Sequence, residues 1–455
     1  MKRISFTRIA LVVALISFAP AFTAAPTQAA TTLSKTLTLG VNDDVSIALA
    51  NKTGWIVSGT TFESGDSSTV FAEKSLGGSD IWITQLDVTL NPLWSHRLGT
   101  ARDDVVGGAA FDASGNVWIV GTSQSESNTS TPVVMTSSSP PSMGSGNTPV
   151  TVNPDGVSLT SPLVAAPAPL SQLIIQGLRN DGTALLKSSI NFGEKYSVLP
   201  TGVVSDASGL WIAGTILTLE NKASRGFYMY CDFSLQCKIP TYLGKSSTSI
   251  RTLALNAGNL LLAGSTNDLW KGKPAIGKTD ALALVINSKT GVITQTQRSG
   301  NTGTRRSWES GAIVNGETVL VGTVDYGKKM EIVTTTFTKS GAVASTGRWS
   351  GTLRSALAPR AAGIVALAFS VSPSDLKAIA PTLKGVGMEA LVVTLSATKS
   401  GKRTLTAPHV ALRAGDQPVL AMTASQAAIL LISDSGGGQM LLDLYPDSGS
   451  GAVKR

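Results

Sequence analysis

The chain of 455 residues contains little cysteine, histidine, aromatic residue or charge: two Cys, two His, 5% aromatic residues and 15% charged residues. So few Cys and His exclude a zinc-finger array and a disulfide-dense scaffold. The low charge, together with 42% hydrophobic residues, excludes a disordered chain and a coiled coil. The sequence also lacks the Gly-x-Ser-x-Gly, His-Glu-x-x-His and phosphate-binding glycine-rich motifs of several enzyme classes.

Long hydrophobic runs are also missing, with one short exception at the start of the chain. Lys2, Arg3 and Arg8 precede an apolar run at residues 9–18, and small residues follow as far as Ala30. This order predicts a secretory signal peptide over residues 1–30, and hence a secreted or surface-associated protein. The alternative is an uncleaved anchor, but the run is short for a span of about 20 residues. We expect no transmembrane segment after cleavage.

Cys231 and Cys237 suit an exported protein, because disulfides form in oxidising compartments. The segments FYMYC (227–231) and CKIPTYLG (237–244) predict two strands of a hairpin. A disulfide closes this hairpin if both side chains face the same side. Two free thiols are the alternative.

A short apolar phrase recurs along the chain and predicts a buried strand at each copy. Five copies are clear and two are weaker: WIVSGTT (55–61), VWIVGTS (117–123), LWIAGTI (210–216), LLLAGST (260–266), VLVGTV (319–324), IVALAFS (364–370) and AILLIS (428–433). Another strand and a turn containing Asp or Asn precede most copies, and two strands joined by a second turn follow. The repeating unit is therefore four antiparallel strands, A to D, with the phrase as strand B.

Four-stranded units at this spacing predict an all-β fold, a seven-bladed β-propeller of about 54 residues per blade. The chain ends on a C strand, whereas SKTLTLG (34–40) resembles a D strand. We therefore expect the N-terminal strand to complete the last blade and close the ring, which removes exposed sheet edges. Residues 31–455 would form one domain, expected to be a monomer.

The segment 77–123 resembles the bacterial β-propeller repeat known as the SBBP repeat. The matching pieces are GSD at 78–80, LWS at 93–95, SGN at 114–116 and VGT at 120–122. The match is partial at 40–61 and 201–216 and weaker further along the chain. The resemblance implies a secreted or surface-exposed bacterial propeller and no particular reaction.

Two kinds of loop residue are candidates for a site, since propeller loops carry function. The longest B–C loop is an insertion at 124–168, rich in Ser, Thr and Pro and without Lys, Arg or aromatic residues; it is a flexible excursion or a binding arm. The acid pairs Asp43–Asp44 and Asp103–Asp104 occupy equivalent D–A loops. Their carboxylates could bind Ca²⁺, but capping of turn N–H groups is the favoured interpretation, and no cofactor is expected.

Charge is distributed unevenly: residues 31–216 carry a net charge of −7 and residues 217–413 a net charge of +14. Seven basic residues fall in predicted B–C or D–A loops, which lie at one end of the blades: Lys271, Lys273, Lys278, Arg305, Arg306, Lys328 and Lys329. Such a field attracts anionic polymers or acidic surfaces, although solvated charge is the simpler explanation. Aromatic residues are not interleaved with the basic ones, so no nucleic acid is expected.

The leading functional hypothesis is a non-catalytic binding or scaffold propeller. Its ligand would be an anionic glycan, a cell-wall polymer or a protein partner. The alternative is a hydrolase or lyase acting on polysaccharide. That chemistry needs two carboxyl groups about 5–9.5 Å apart, one with a raised pKa.

Overall fold

A computed structural model of the chain describes residues 33–40, 43–51, 53–62, 73–125, 168–350, 358–359, 365–371, 389–397, 403–414, 416–422, 428–434 and 438–446. The predicted signal peptide at 1–30 and the insertion from 126 to 167 lie outside the described residues. The described part of the chain is all-β, and none of it is helical.

The strands form four-stranded antiparallel sheets in which consecutive strands pair in order. Sheet 1 consists of β2 (Ile47–Ala50), β3 (Gly54–Thr61), β4 (Asp80–Asp87) and β5 (Pro92–Leu98). Sheet 2 consists of β6 (Asp104–Phe111), β7 (Val117–Ser123), β8 (Gln172–Leu178) and β9 (Ala184–Asn191). Sheet 3 consists of β10 (Tyr196–Ser205), β11 (Gly209–Thr218), β12 (Ser224–Asp232) and β13 (Thr241–Leu243). Sheet 4 consists of β14 (Thr248–Asn256), β15 (Asn259–Thr266), β16 (Asp280–Asn287) and β17 (Ile293–Ser299). Sheet 5 consists of β18 (Arg305–Val314), β19 (Glu317–Asp325), β20 (Met330–Phe337) and β21 (Val343–Ser350). Sheet 6 consists of β22 (Ala358–Pro359), β23 (Val365–Val371), β24 (Glu389–Ala397) and β25 (Arg403–Ala414). Sheet 7 consists of β26 (Asp416–Met422), β27 (Ala428–Asp434), β28 (Gln439–Pro446) and β1 (Leu33–Thr38).

The last of these sheets combines strands from both ends of the described chain. β1 pairs antiparallel with β28, from Leu33 opposite Leu444 to Thr38 opposite Gln439. The first strand of each sheet contacts the first strand of the next, and β26 contacts β2 of sheet 1. Sheets that succeed one another in this way define a β-propeller.

The recurring phrase lies on the second strand of each sheet, and in sheets 1 to 5 most of its residues are buried. In β3 all eight residues are buried: Trp55 and Val57 join the layer shared with sheet 7, and Ile56 joins the layer shared with sheet 2. Successive side chains of a strand point to opposite faces, so a strand between two neighbouring sheets needs apolar side chains on both faces. The same geometry buries Trp82 and Trp118 between sheets.

Aspartates start the turns between the first and second strands of sheets 2 and 3. Asp112 Oδ1 accepts hydrogen bonds from the backbone N–H of Ser114, and Asp112 Oδ2 accepts from Trp118 Nε1 at 3.0 Å. In the next sheet Asp206 Oδ2 accepts from Trp211 Nε1 at 3.1 Å. Each aspartate therefore ties its turn to a tryptophan of the following strand, which is buried in the case of Trp118 and half-buried in the case of Trp211.

The hairpin between β12 and β13 contains the disulfide between Cys231 and Cys237, with Cα atoms 4.0 Å apart. Asp232 caps the intervening turn by accepting hydrogen bonds from the N–H groups of Ser234 and Gln236, both at 2.9 Å. The second strand of this hairpin is shorter than the sequence predicts, since β13 covers only Thr241–Leu243. Pro240 precedes it and has no N–H to donate to a sheet ladder.

Candidate functional site: a basic face on sheets 4 and 5

Three loops at one end of sheets 4 and 5 carry most of the predicted basic residues. Residues 267–279 join β15 to β16, residues 300–304 lead into β18, and residues 326–329 join β19 to β20. In antiparallel sheets these connections emerge at the same end. We call five exposed cations in or next to these loops the basic face: Lys271, Lys273, Lys278, Arg305 and Lys328. The predicted residue Lys329 is also exposed at this end, but its charge is paired with Glu331.

Asp268 anchors the first of these loops at its start. Its carboxylate accepts hydrogen bonds from the backbone N–H groups of Lys245 at 2.9 Å and Ser247 at 3.1 Å, and from Thr248 Oγ1 at 2.7 Å. Burial acts to raise the pKa of Asp268, but these donors outweigh it and lower the pKa to about 2. The carboxylate is therefore ionised at neutral pH and holds loop 267–279 against the segment that precedes β14.

Arg298 of β17 anchors the same loop at two further points. Its guanidinium donates to the carbonyl oxygen of Lys273 at 2.7 Å and to that of Asp268 at 3.3 Å. Its Nε donates to Asp280 Oδ2 at 2.8 Å. Asp280 also accepts from the N–H of Gly277 at 2.8 Å, so both ends of the loop are hydrogen-bonded to the sheet.

The tip of loop 267–279 is a tight turn over residues 270–273. Trp270 and Lys273 exchange backbone hydrogen bonds of 3.0 and 3.1 Å. Lys271 and Gly272 between them have φ values of 50° and 76°. Two successive positive φ values are typical of a type I′ turn, in which a glycine at the second central position avoids strain. The Lys271 side chain is thereby placed at the tip.

The carboxylates around the basic face are paired with arginines or with Lys329 and not with the lysines of the face. Arg305 Nη1 lies 3.8 Å from Asp325 Oδ2, and Lys329 Nζ lies 2.8 Å from Glu331 Oε1. Arg348 Nη1 also lies 3.5 Å from Glu331 Oε2. Within the described part of the chain, Lys271, Lys273, Lys278 and Lys328 have no ion-pair partner. The lysines of the basic face therefore present unneutralised charge to solvent.

Arg306 does not belong to the basic face, and the sequence prediction is wrong at this position. Arg306 is only 6% exposed, donates to Ser299 Oγ at 2.7 Å and lies over the Trp308 ring, with 6.0 Å between the guanidinium carbon and the ring centroid. Burial, followed by the charge of Arg348, lowers its pKa from the usual value. Successive residues of a strand point to opposite faces, so Arg305 is exposed while Arg306 is directed inward.

The predicted acid pair Asp43–Asp44 caps backbone groups. Asp43 accepts hydrogen bonds from the N–H groups of Gly40 at 2.8 Å and Phe62 at 3.0 Å. Asp44 accepts from the N–H of Thr60 at 2.6 Å and from Ser46 Oγ at 2.9 Å. All four carboxylate oxygens thus have donors from the protein, the arrangement expected of turn capping.

The second acid pair, Asp103–Asp104, has the same capping role and one unusual member. Asp103 accepts from the N–H of Ser79 at 3.0 Å, and Asp104 Oδ2 accepts from the N–H of Thr100 at 2.6 Å. Asp104 is fully buried and its Oδ1 has no hydrogen-bond partner in the described structure. Burial, with a smaller contribution from the charge of Asp80, raises the pKa of Asp104. Among the described residues, no group of three or more His, Cys, Asp or Glu side chains is arranged to hold a metal ion.

The structure contains a recurring ion pair that sequence reasoning missed. A carboxylate at or near the start of the third strand pairs with an arginine on the fourth strand in sheets 1, 4 and 5. The three pairs are Asp80–Arg97, Asp280–Arg298 and Glu331–Arg348. In each pair the arginine lies opposite the residue two places after the carboxylate. The segments GGSD (77–80) and GKTD (277–280) are the sequence signal that could have revealed the first two.

The comparisons with known proteins add little to this geometry. No protein-family model matches the sequence and no curated protein matches it, so the resemblance to the SBBP repeat stays a prediction. Similar solved structures include the quinohemoprotein alcohol dehydrogenase of Comamonas testosteroni, 9% identical, covering 91% of this chain and 76% of that one with a TM-score of 0.46. YCF48 bound to a D1 peptide is 11% identical, covering 94% and 99%, with a TM-score of 0.43. The α-L-arabinanase of Penicillium chrysogenum complexed with arabinobiose is 10% identical, covering 75% and 94%, with a TM-score of 0.39. Similarities this low carry no argument about the site.

Proposed function

We propose that the protein is an exported seven-bladed propeller that binds an anionic partner, without catalysis, through the basic face. One observation carries the proposal: lysines from two adjacent sheets are exposed together at one end, while the nearby carboxylates of Asp268, Asp280 and Glu331 are engaged within the fold. Such a surface attracts acidic ligands and accelerates their association. The binding as proposed needs no cofactor.

The proposed architecture is a closed ring of seven blades, with β1 as the outer strand of the last blade. The pairing of β1 with β28 and the contact of β26 with β2 support this arrangement. A closed ring leaves the loop ends as its variable surfaces, which is where the basic face lies.

A polysaccharide hydrolase or lyase is less well supported. Among the described carboxyl groups, Asp104 has a pKa that burial clearly raises, and its acidic neighbour is Asp80. Both side chains are fully buried. A sugar therefore has no access to the pair that such a reaction would use.

Export is part of the proposal, and the disulfide between Cys231 and Cys237 supports it. In the described part of the chain, no helix has the length and hydropathy needed to cross a bilayer. N-terminal sequencing of the protein recovered from culture medium tests this element. A chain beginning near residue 31 is expected, whereas retention of the intact chain in the cell would contradict export.

The binding proposal is tested with two anionic polymers, dextran sulfate and poly-glutamate, at low and high salt. The variant K271E/K273E should weaken binding by at least about tenfold at low salt, because each reversal replaces an attraction by a repulsion. The control K289E/K339E makes the same change of net charge in exposed turns at the other end of sheets 4 and 5. Equal binding by both variants, or no binding of either polymer by the unmodified protein, would contradict the proposal.

A further inference from the structure

Exposed apolar side chains lie in the same loops as the lysines of the basic face. Leu269 and Ile276, on either side of the turn at 270–273, are 66% and 60% exposed. Tyr326 and Met330 are also exposed and flank Lys328 in the neighbouring loop. Large apolar side chains grouped on a surface mark a site that a partner covers.

The two loops are joined side by side where they meet the strands. Thr279, at the end of the first loop, bridges to Arg305, and Arg305 lies beside Asp325 at the start of the second loop. Arg348 Nη1 donates to the Tyr326 hydroxyl at 3.0 Å, which fixes the second loop from the outer strand of sheet 5. The lysines and the aliphatic groups are therefore available to a single ligand.

The surface is also ordered before any ligand arrives. Asp268 and Arg298 hold loop 267–279 at its start and at Lys273, and Asp280 holds the N–H of Gly277. A loop that is already fixed loses little conformational freedom on binding, so more of the contact energy appears as affinity. Asp268 and Arg298 are positioning residues for the site.

We propose, building on the function proposed above, that the partner is an acidic segment of a protein that also carries aliphatic side chains. Its carboxylates would pair with Lys271, Lys273 and Lys328, and its apolar side chains would cover Leu269 and Ile276. A polysaccharide offers anionic groups but few apolar ones, so it would gain little from these two residues.

The shape of the loop disfavours a lipid bilayer as the partner. Lys271 and Gly272 are the central residues of the turn closed by Trp270 and Lys273, whereas Leu269 and Ile276 lie outside that turn, on the two arms of the loop. A membrane-binding loop places its apolar side chains in the acyl region and its cations behind them, at the headgroups. Here the order is reversed, with the cation at the turn and the apolar side chains outside it. A flexible protein segment can match this arrangement by placing carboxylates at the turn and apolar side chains against Leu269 and Ile276.

The experiment compares four probes on the full chain: a short peptide of Glu and Leu, poly-glutamate of equal length, dextran sulfate, and phosphatidylglycerol vesicles. The Glu–Leu peptide should bind at least about tenfold more tightly than poly-glutamate at high salt, where screening weakens the charge contribution. The variant L269S/I276S should abolish that difference and leave poly-glutamate binding unchanged. The control V292S/V343S removes two similarly exposed aliphatic residues from the opposite end of the same sheets and should have no effect.

Failure of this inference can be distinguished from failure of the proposed function. If K271E/K273E weakens binding of every polymer but leucine adds nothing, the basic face stands and the protein-segment inference is overturned. Tighter binding of dextran sulfate, or vesicle binding that depends on Leu269 and Ile276, would also overturn it. If no probe responds to K271E/K273E, the proposed function itself is wrong. Circular dichroism of each variant checks that the sheets remain folded.

Discussion

Individual aspartates of this protein have opposite pKa shifts because their surroundings differ in hydrogen-bond donors. Asp268 has backbone and hydroxyl donors around both oxygens, and its pKa falls to about 2. Asp104 is buried with one unpartnered oxygen beside Asp80, and its pKa rises. The two shifts make stability depend on pH in opposite directions.

For Asp268 we expect stability that is present above pH 3.8, the usual pKa, and lost as the pH falls toward about 2. The variant D268N should lower the free energy of unfolding by about 1.5–3 kcal/mol at neutral pH, because it removes hydrogen bonds to a charged acceptor. Urea unfolding at several pH values measures the difference, which should shrink as the wild-type carboxylate is protonated. D268N should also weaken binding at the basic face.

The matched control for this variant is D87N. The pKa of Asp87 is also lowered to about 2, first by the backbone N–H of Asn91, but Asp87 lies in a turn of sheet 1. D87N should leave binding unchanged. Equal loss of binding in both variants would show that Asp268 does not position the loop.

For Asp104 the sign is reversed. A raised pKa means that the folded state favours the protonated form, so its contribution to stability is full below pH 3.8 and declines as the pH rises through the folded-state pKa. The variant D104N remains neutral, and its amide oxygen can take the place of Asp104 Oδ2 and still accept from the N–H of Thr100. We therefore expect wild-type stability to fall relative to that of D104N between pH 3.8 and neutrality. Parallel unfolding profiles of the two proteins across that range would contradict the assignment.

At the scale of elements, the β12–β13 hairpin of sheet 3 depends for its stability on its disulfide, because its hydrogen-bond ladder is short. β13 has only three residues, so few backbone hydrogen bonds hold it to β12. The variant C231A/C237A should lose about 2 kcal/mol of stability, because the bridge closes only a short loop of the unfolded chain. Chemical denaturation with and without a reducing agent measures this. The reductant should destabilise the wild type and have no effect on the variant; equal stability of the oxidised wild type and the variant would refute the prediction.

At the scale of the whole molecule, stability depends on the pairing of β1 with β28, which joins the first and last described strands in sheet 7. Leu37 of β1 is buried in the same cluster as Leu430 and Leu442. The variant L37A should cost about 2–5 kcal/mol, as for other buried leucines replaced by alanine. L33A, at a partly buried position of the same strand, should cost less. Thermal unfolding of both variants checks this, and an equal or smaller effect of L37A would argue against β1 as an integral strand.

Much of the fold follows from local patterns. The described residues of all seven copies of the apolar phrase fall on second strands, since a strand covered on both faces needs apolar side chains on both. The turns at Asp112 and Asp206 follow from the ability of an aspartate side chain to accept hydrogen bonds from nearby backbone N–H groups, and from the backbone freedom of glycine. The tethering of these turns by Trp118 and Trp211 depends on side-chain direction and was not predictable.

The candidate site was only partly predictable. The lysines of the basic face were identified because turn residues mark the loop ends of each unit. The burial of Arg306 was missed, because a shift of one residue in the start of β18 exchanges the exposed face for the buried one. The hold of Asp268 and Arg298 on loop 267–279 was also missed, since it joins residues that are distant in sequence.

The amino-acid sequence by itself determined the strand periodicity, the turns, the repeat and the division of charge between the two halves of the chain. These depend on each residue and its near neighbours, which a linear reading can follow. Only the tertiary structure decided which charges are exposed, which carboxylates are already paired, and in which register β1 pairs with β28. Those outcomes depend on strand register and on contacts between sheets, and burial changes the energy of a charge far more than any local pattern does.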